Sequence, residues 1–264
     1  MISSRNNPAV KQIRGLRQRK EREASGLYFV EGIRIVAEAV QSGAPIEQIV
    51  VAPDLLASPF ARDLVQQQRQ AGVPCLEVTA DVFETLSAKE GPQGLGAVLR
   101  QHWDLIDDVR IDQELCWVAL HAVADPGNLG TILRTADAVG AGGVMLLDHC
   151  TDPYDPAALR GSMGAIFGQR LVRAQWNEFV AWKQEHSYAV VGTSDAATTD
   201  YQALRYASPL VLLMGSERQG LNVQQQSICD AVVRIPMVGR SDSLNLAVAT
   251  GVVLYEILNQ RRNT

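Results

Sequence analysis

Three stretches of this chain end an apolar run and then present side chains able to hold or polarise a substrate. The first is "DPGNLGTILRTADAVG" (125–140), which follows "LCWVALHAV" and carries Asn128 and Arg134 in an Asn-x5-Arg spacing. In the second, "LVLLMGSERQGL" (210–221), an apolar run meets Gly215 and then Glu217 and Gly220. The third, "VRIPMVGRSDSLNLAVATG" (233–251), brings Ile235, Pro236 and Met237, then Ser243, Leu244 and Asn245. Amide, guanidinium, carboxylate and hydroxyl groups orient a reacting group and stabilise charge on it. A glycine-bearing turn between strand and helix usually cradles a phosphate, but here an asparagine stands between the two glycines. Gly215 would let a flat ring approach the backbone, with Ile235, Met237 and Leu244 as apolar walls. Ser243 is placed to cap the last helix.

Other chemistries find no support. His102, His121, His149 and His186 are scattered, without metal-ligand spacing to a cysteine or an acid, so no metal is expected. Neither half has a G-x-G-x-x-G loop after its first strand, which argues against a dehydrogenase or an ordinary Rossmann methyltransferase. "GLGAV" (94–98) reads as a strand. Cys75, Cys116, Cys150 and Cys229 are far apart and read as small buried hydrophobes of a reducing cytoplasm.

The elements that must carry these residues alternate. Residues 27–30, 46–51, 75–78 and 95–100 read as strands, with helices over 31–41, 60–71 and 81–87 between them. Residues 101–114 are acidic and unpatterned, the best linker. Beyond them come strands at 115–123, 143–147, 188–194, 210–215 and 231–236, and helices at 128–139, 155–161, 176–185, 221–228 and 243–259. This is an α/β pattern, most simply two domains, 1–105 and 106–264. In an open parallel sheet the strand carboxyl ends meet at one crevice, and all three stretches lie at such ends.

At 264 residues, with 47% hydrophobic and 20% charged residues, the chain is an ordinary globular sequence. It has no run long enough for a bilayer and no apolar secretory core at its start, so a cytoplasmic protein is expected. The net charge of −5 hides an asymmetry: residues 1–34 are net +5 and the remainder net −10. Within 9–22, Val10, Ile13 and Leu16 recur every third residue and give a basic helix one apolar stripe. Its bases either form a solvated face or meet phosphates, releasing counterions.

Taken together, Asn128-x5-Arg134, Met-Gly-x-Glu at 214–217 and Ile-Pro-Met…Ser-Leu-Asn at 235–245 resemble the three motifs of the SpoU/TrmH-type RNA 2′-O-methyltransferases of the SPOUT superfamily. Residues 2–40 look like the N-terminal substrate-binding domain of rRNA-modifying members, and "VFETLSAKEGPQGLGAVL" (82–99) matches that domain's end. The resemblance covers nearly the whole chain. It implies a small L30e-like α/β domain followed by a SPOUT domain with a parallel sheet and a deep trefoil knot, an exception to the rule that chains are unknotted. It further implies S-adenosylmethionine held around Thr193, Gly215, Ile235, Met237 and Leu244. Asn128, Arg134, Glu217, Ser243 and Asn245 fall on catalytic positions. RNA would be met by Arg5, Lys11, Arg14, Arg17, Lys20 and Arg22, and by Arg160 and Ser162 of "ALRGSMGAIFG" (158–168). A homodimer through the knot region is expected.

The implied reaction is displacement of a sulfonium methyl by a ribose 2′-oxygen. No histidine stands at the motifs to take the proton. Arg134 either loses its own proton in place, which its pKa above 12 opposes, or stays cationic and stabilises the alkoxide. Glu217 could fix Arg134 or the loop, and Asn128 could orient Arg134 or the ribose. A tRNA substrate, or a non-catalytic RNA-binding or ribosome-assembly factor on the same fold, are the competing readings of the chain.

Overall fold

In the computed structural model, which describes residues 1–88, 91–112 and 114–263, the basic N-terminal stretch is two helices and not one. Lys89, Glu90 and Gln113 of the stretches quoted above lie outside the described residues. Asn7 caps α1 (Pro8–Gly15), its side chain accepting from the Ala9 amide at 2.9 Å. After Gly15 the helix breaks and resumes as α2 (Arg19–Ser25). The break leaves the Leu16 and Arg17 carbonyls without helical donors, and Arg22 Nη1 donates to both at 2.9 Å. Arg22 is 1% exposed and also faces Asp155 at 3.6 Å. It is therefore an internal strut, not the phosphate contact expected of it. Val10, Ile13 and Leu16 are buried as their spacing suggested, packed with Val82 and Phe83.

The chain divides into two compact units: Met1–Gln101 with Tyr154–Leu159, and His102–Pro153 with Arg160–Thr264. In the first, β1 (Leu27–Glu31), α3 (Ile33–Gln41), β2 (Ile46–Val51), α4 (Pro59–Gln70), β3 (Cys75–Glu77), α5 (Ala80–Leu86) and β4 (Leu95–Arg100) follow one another. The sheet order is β1-β4-β2-β3, antiparallel except for β2 with β3.

In the second unit, β5 (Trp117–His121), α6 (Pro126–Val139) and β6 (Gly143–Leu147) come first; α7 (Pro156–Ser162) begins in the Tyr154–Leu159 stretch of the first unit and ends in the second. Then β7 (Arg170–Ala174), α8 (Trp176–His186), β8 (Ala189–Thr193), β9 (Thr199–Asp200), β10 (Leu210–Met214), α9 (Val223–Ser227), β11 (Ala231–Arg234) and α10 (Leu246–Arg262) follow in the second. These strands form a seven-stranded parallel sheet in the order β7-β6-β5-β10-β8-β11-β9. All residues of β6 and β10 are buried, as expected of a parallel sheet covered on both faces. The chain winds from β5 outward through β6 and β7, then returns, and β10 enters beside β5. That reversal opens the crevice between β5 and β10 where such sheets bind ligands. Among the described residues no helix is long and apolar enough to cross a membrane.

Candidate active site

The site is built by the loops leaving the carboxyl ends of β5, β10, β8 and β11. After β5, Asp125 caps α6 by accepting the Asn128 amide at 2.7 Å, with Pro126 as the first helical residue. After β10, residues 216–220 make a tight turn: the Gly220 amide donates to the Ser216 carbonyl at 3.0 Å, and the Gln219 amide to Ser216 Oγ at 3.3 Å. After β11, residues 235–244 lead to Asn245, whose Oδ1 caps α10 by accepting from Ala247 and Val248 at 2.9 and 3.3 Å.

One hydrogen-bonded chain joins the three loops. Asn245 Nδ2 donates to Asn128 Oδ1 at 2.8 Å, and Asn128 Nδ2 donates to Glu217 Oε1 at 3.3 Å. Glu217 also accepts the Ala124 amide on Oε2 and the Asp125 amide on Oε1, both at 3.1 Å. Each amide side chain has its oxygen accepting and its nitrogen donating, so both orientations are fixed. Partial burial pushes the Glu217 carboxyl up. The amides of Ala124 and Asp125, its own amide and the Asn128 side chain outweigh that, holding it below its ordinary value of 4.5. Glu217 thus clamps the β5–α6 loop, and Asn128 is tied to Asn245 and Glu217; neither holds Arg134.

Two cavities meet at the turn. One, of about 340 Å³, is lined by Thr193, Gly215, Ile235, Met237, Ser243 and Leu244 among others, and so contains every residue expected to hold the cofactor. The second, of about 710 Å³, is bounded by Asp125, Asn128, Glu217 and Asn245. Residues 216–219 form the wall common to both. The first volume suits a nucleoside-sized ligand.

Three expectations are modified here. Gly215 is crowded by its own loop: a Cβ there would collide with the Gly220 carbonyl and the Leu221 amide. The missing side chain lets the turn close, and the flat approach of a ring is secondary. The cap of α10 is Asn245 and not Ser243, whose hydroxyl donates to Asp242 at 3.2 Å. Ser162 is fully buried and offers nothing to RNA, whereas Arg160 is exposed beside it. The neighbouring Gly161 explains the burial: a Cβ there would lie 3.2 Å from Gly130, so the segment packs directly on α6.

Arg134 is exposed on α6 and lines neither cavity. Sequence reasoning passed over Asp125 and Arg218. The Asp-Pro pair three residues ahead of Asn128 signals a helix start and points to Asp125. Nothing in the sequence singles out Arg218, which lines both cavities. Among the described residues no cluster of three His, Cys, Asp or Glu side chains could hold a metal ion.

Comparison with known proteins bears on this geometry. Residues 116–255 match the model of the SpoU rRNA Methylase family, and residues 7–97 that of the MRM3-like substrate binding domain. A 23S rRNA (uridine(2479)-2′-O)-methyltransferase of Streptomyces viridochromogenes is 32% identical over 98% of this chain and 92% of its own length. A 23S rRNA (guanosine(2553)-2′-O)-methyltransferase of Bacillus subtilis is 28% identical over 97% of this chain and 98% of its own. The crystal structure of an AdoMet-bound rRNA methyltransferase from Sinorhizobium meliloti superposes with a TM-score of 0.90 at 37% identity, covering 99% of this chain and 97% of that one. With the motif residues assembled at the crevice of a parallel sheet, and with more than half its length matched, the chain belongs to the SpoU rRNA methylase family.

Proposed function

We propose that this chain methylates a ribose 2′-oxygen of 23S rRNA with S-adenosylmethionine, working in the cytoplasm as a homodimer. The observation that carries the reading is the wall shared by two cavities, one of nucleoside size and one ringed by Asn128, Glu217 and Asn245. A methyl donor in one cavity and an acceptor oxygen in the other are brought close together at such a wall. Relatives that act on 23S rRNA over the same length support the substrate class over tRNA.

S-adenosylmethionine suits the smaller cavity. The backbone at Gly215 and the side chains of Ile235, Leu244 and Leu246 offer apolar contact, and Thr193 and Asp195 offer polar partners. When bound, it supplies a methyl already activated by the sulfonium. This chain's residues then have to place the hydroxyl and tolerate its charge. Asn128 and Asn245, locked to each other, orient the ribose. Glu217 keeps the loop assembled, and Ser243 holds the cavity edge.

Arg134 supports a second copy. It is exposed and lines neither cavity of its own chain; Thr131 is exposed on the same helix, and Val248 (52%) and Tyr255 (54%) are exposed on α10, which packs against α6. Exposed apolar side chains on the two helices, with a cation among them, suit a surface that a two-fold dimer covers. Docked so, one protomer's Arg134 reaches its partner's site and, staying cationic, stabilises the forming alkoxide. The deep trefoil knot of the family is part of the same reading, as is RNA contact by Arg5, Lys11, Arg14, Arg17, Lys20 and Arg160.

The test uses methyl-tritiated S-adenosylmethionine with rRNA and tRNA from cells lacking the gene. Label in 23S rRNA at one alkali-resistant linkage is expected. Label only in tRNA moves the substrate, and cofactor binding without label in any RNA favours the assembly-factor reading. Arg134→Ala should bind cofactor normally and lose at least 100-fold in transfer. Mixed with a variant broken at Glu217, it should regain activity through heterodimers, and near-normal turnover of Arg134→Ala alone would sink the assignment.

A further inference from the structure

We infer that Arg218 is the residue that receives the RNA phosphate next to the reacting ribose. This deepens the methyltransfer reading and rests on it. Arg218 stands at the apex of the 216–220 turn and lines both cavities. Its backbone is held: the turn closes through Ser216 and Gly220, and the preceding Glu217 is fastened to Ala124 and Asp125. The side chain is uncommitted, since among the described residues Arg218 has no hydrogen-bond or ion-pair partner.

The charge around it makes that cation matter. The cavity walls carry four carboxylates, Asp125, Asp195, Glu217 and Asp242. Against them stand two arginines, and Arg234 is bound to Asp200 at 2.7 Å. The cavity on the Asn128 side contains Arg218 as its single basic residue, with Asp125 and Glu217 opposed to it. Every ribose in an RNA chain has a phosphodiester on the carbon beside its 2′-oxygen. Bringing that oxygen to the shared wall brings a negative charge with it, toward two carboxylates. Glu217 has its oxygens engaged by amides and makes no ion pair with Arg218. A guanidinium on a fixed turn takes a phosphate through two parallel hydrogen bonds, which a lysine cannot do. Arg218 would therefore set how far the ribose enters as well as offset the repulsion.

The experiment compares wild type, Arg218→Gln and Arg218→Lys. The probes are the unmodified 23S rRNA transcript, measured by filter binding from 50 to 200 mM salt, and S-adenosylhomocysteine, measured by calorimetry. The glutamine variant should weaken RNA binding and raise the RNA KM by about tenfold, and the slope of log K against log salt should fall by about 0.7–0.9, the loss of one phosphate contact. The lysine variant should restore the slope but not the full KM. Affinity for S-adenosylhomocysteine should stay within twofold. Unchanged RNA affinity and slope would overturn the inference. So would a loss confined to S-adenosylhomocysteine, which would place the guanidinium on the cofactor's carboxylate. Direct RNA binding is read without turnover, so a wild-type protein that binds transcript but transfers no methyl would refute the function and leave the phosphate contact measurable.

Discussion

Replacing Glu217 by Gln tests whether the site is assembled by its loops. The two side chains have the same shape, but the carboxylate presents two acceptors and the amide presents one. Oε1 serves both Asp125 and Asn128, while Oε2 serves Ala124 alone. The least costly pose keeps the amide oxygen on the Asp125 side and turns an NH2 group toward the Ala124 amide, donor against donor. A hydrogen bond to a charged acceptor contributes about 1.5–3 kcal/mol, and solvent around this exposed residue argues for the lower end. Adding roughly 0.5 kcal/mol for the charge withdrawn from the two remaining bonds gives about 2 kcal/mol. That corresponds to about a 30-fold smaller equilibrium constant for the assembled loop, and for a loop held chiefly by this clamp the assembled population falls by about the same factor. Single-turnover methyl transfer to 23S rRNA at saturating cofactor should fall by that factor. The thermal midpoint should move by no more than a few degrees, because the clamp is at the surface. Glu217→Asp, one methylene short of both amides, should fare no better. Turnover of Glu217→Gln within threefold of wild type would refute the argument, since the loop would then be holding itself.

Two further outcomes follow from the same geometry. The Glu217 carboxyl is held below 4.5, so the clamp is complete above that pH and is lost only as pH falls through the lower folded value; cofactor affinity should stay level from pH 7 to 4.5 and drop below it, while Glu217→Gln, followed by the same calorimetry, should show no such drop. Gly215→Ala must push the Gly220–Leu221 backbone away, at about 1–3 kcal/mol of overpacking, and should weaken S-adenosylhomocysteine binding by tenfold or more; unchanged affinity would show that the turn has room to give.

Most of the secondary structure was legible because its signals are local. The strands at 46–51, 95–100 and 143–147 were placed to the residue, since each apolar run ends at glycine, proline or a charge. β7 escaped notice because Arg170 and Arg173 interrupt its pattern. Those guanidiniums are disposed of by contacts distant in sequence, Arg170 on Asp104 at 2.6 Å and Arg173 over the Trp103 ring at 4.2 Å. The break between α1 and α2 was hidden for a related reason. A basic run reads as solvated, and only the fold shows that Arg22 turns inward to satisfy two carbonyls. The strand order, with β10 set between β5 and β8, depends on long crossovers that no window of sequence contains.

The candidate site divides along the same line. Residue types and motif spacings pointed to Asn128, Glu217 and Asn245, which the structure brings together because strand ends of a parallel sheet share one edge, but also to Arg134, which lines neither cavity. Pairings were not legible. The spacing Asn-x5-Arg suggests two groups acting on one atom, yet six residues of α-helix turn a side chain through about 120° net and carry it about 9 Å along the axis. The spacing by itself therefore does not bring the two side chains to one atom. Asn128 accordingly faces Glu217 and Asn245, while Arg134 faces out with Val248 and Tyr255 exposed on the adjoining helix. A motif that looks like one catalytic pair therefore presents its two side chains in directions about 120° apart on α6, which is why we propose that a second copy of the chain lets a single reaction use both.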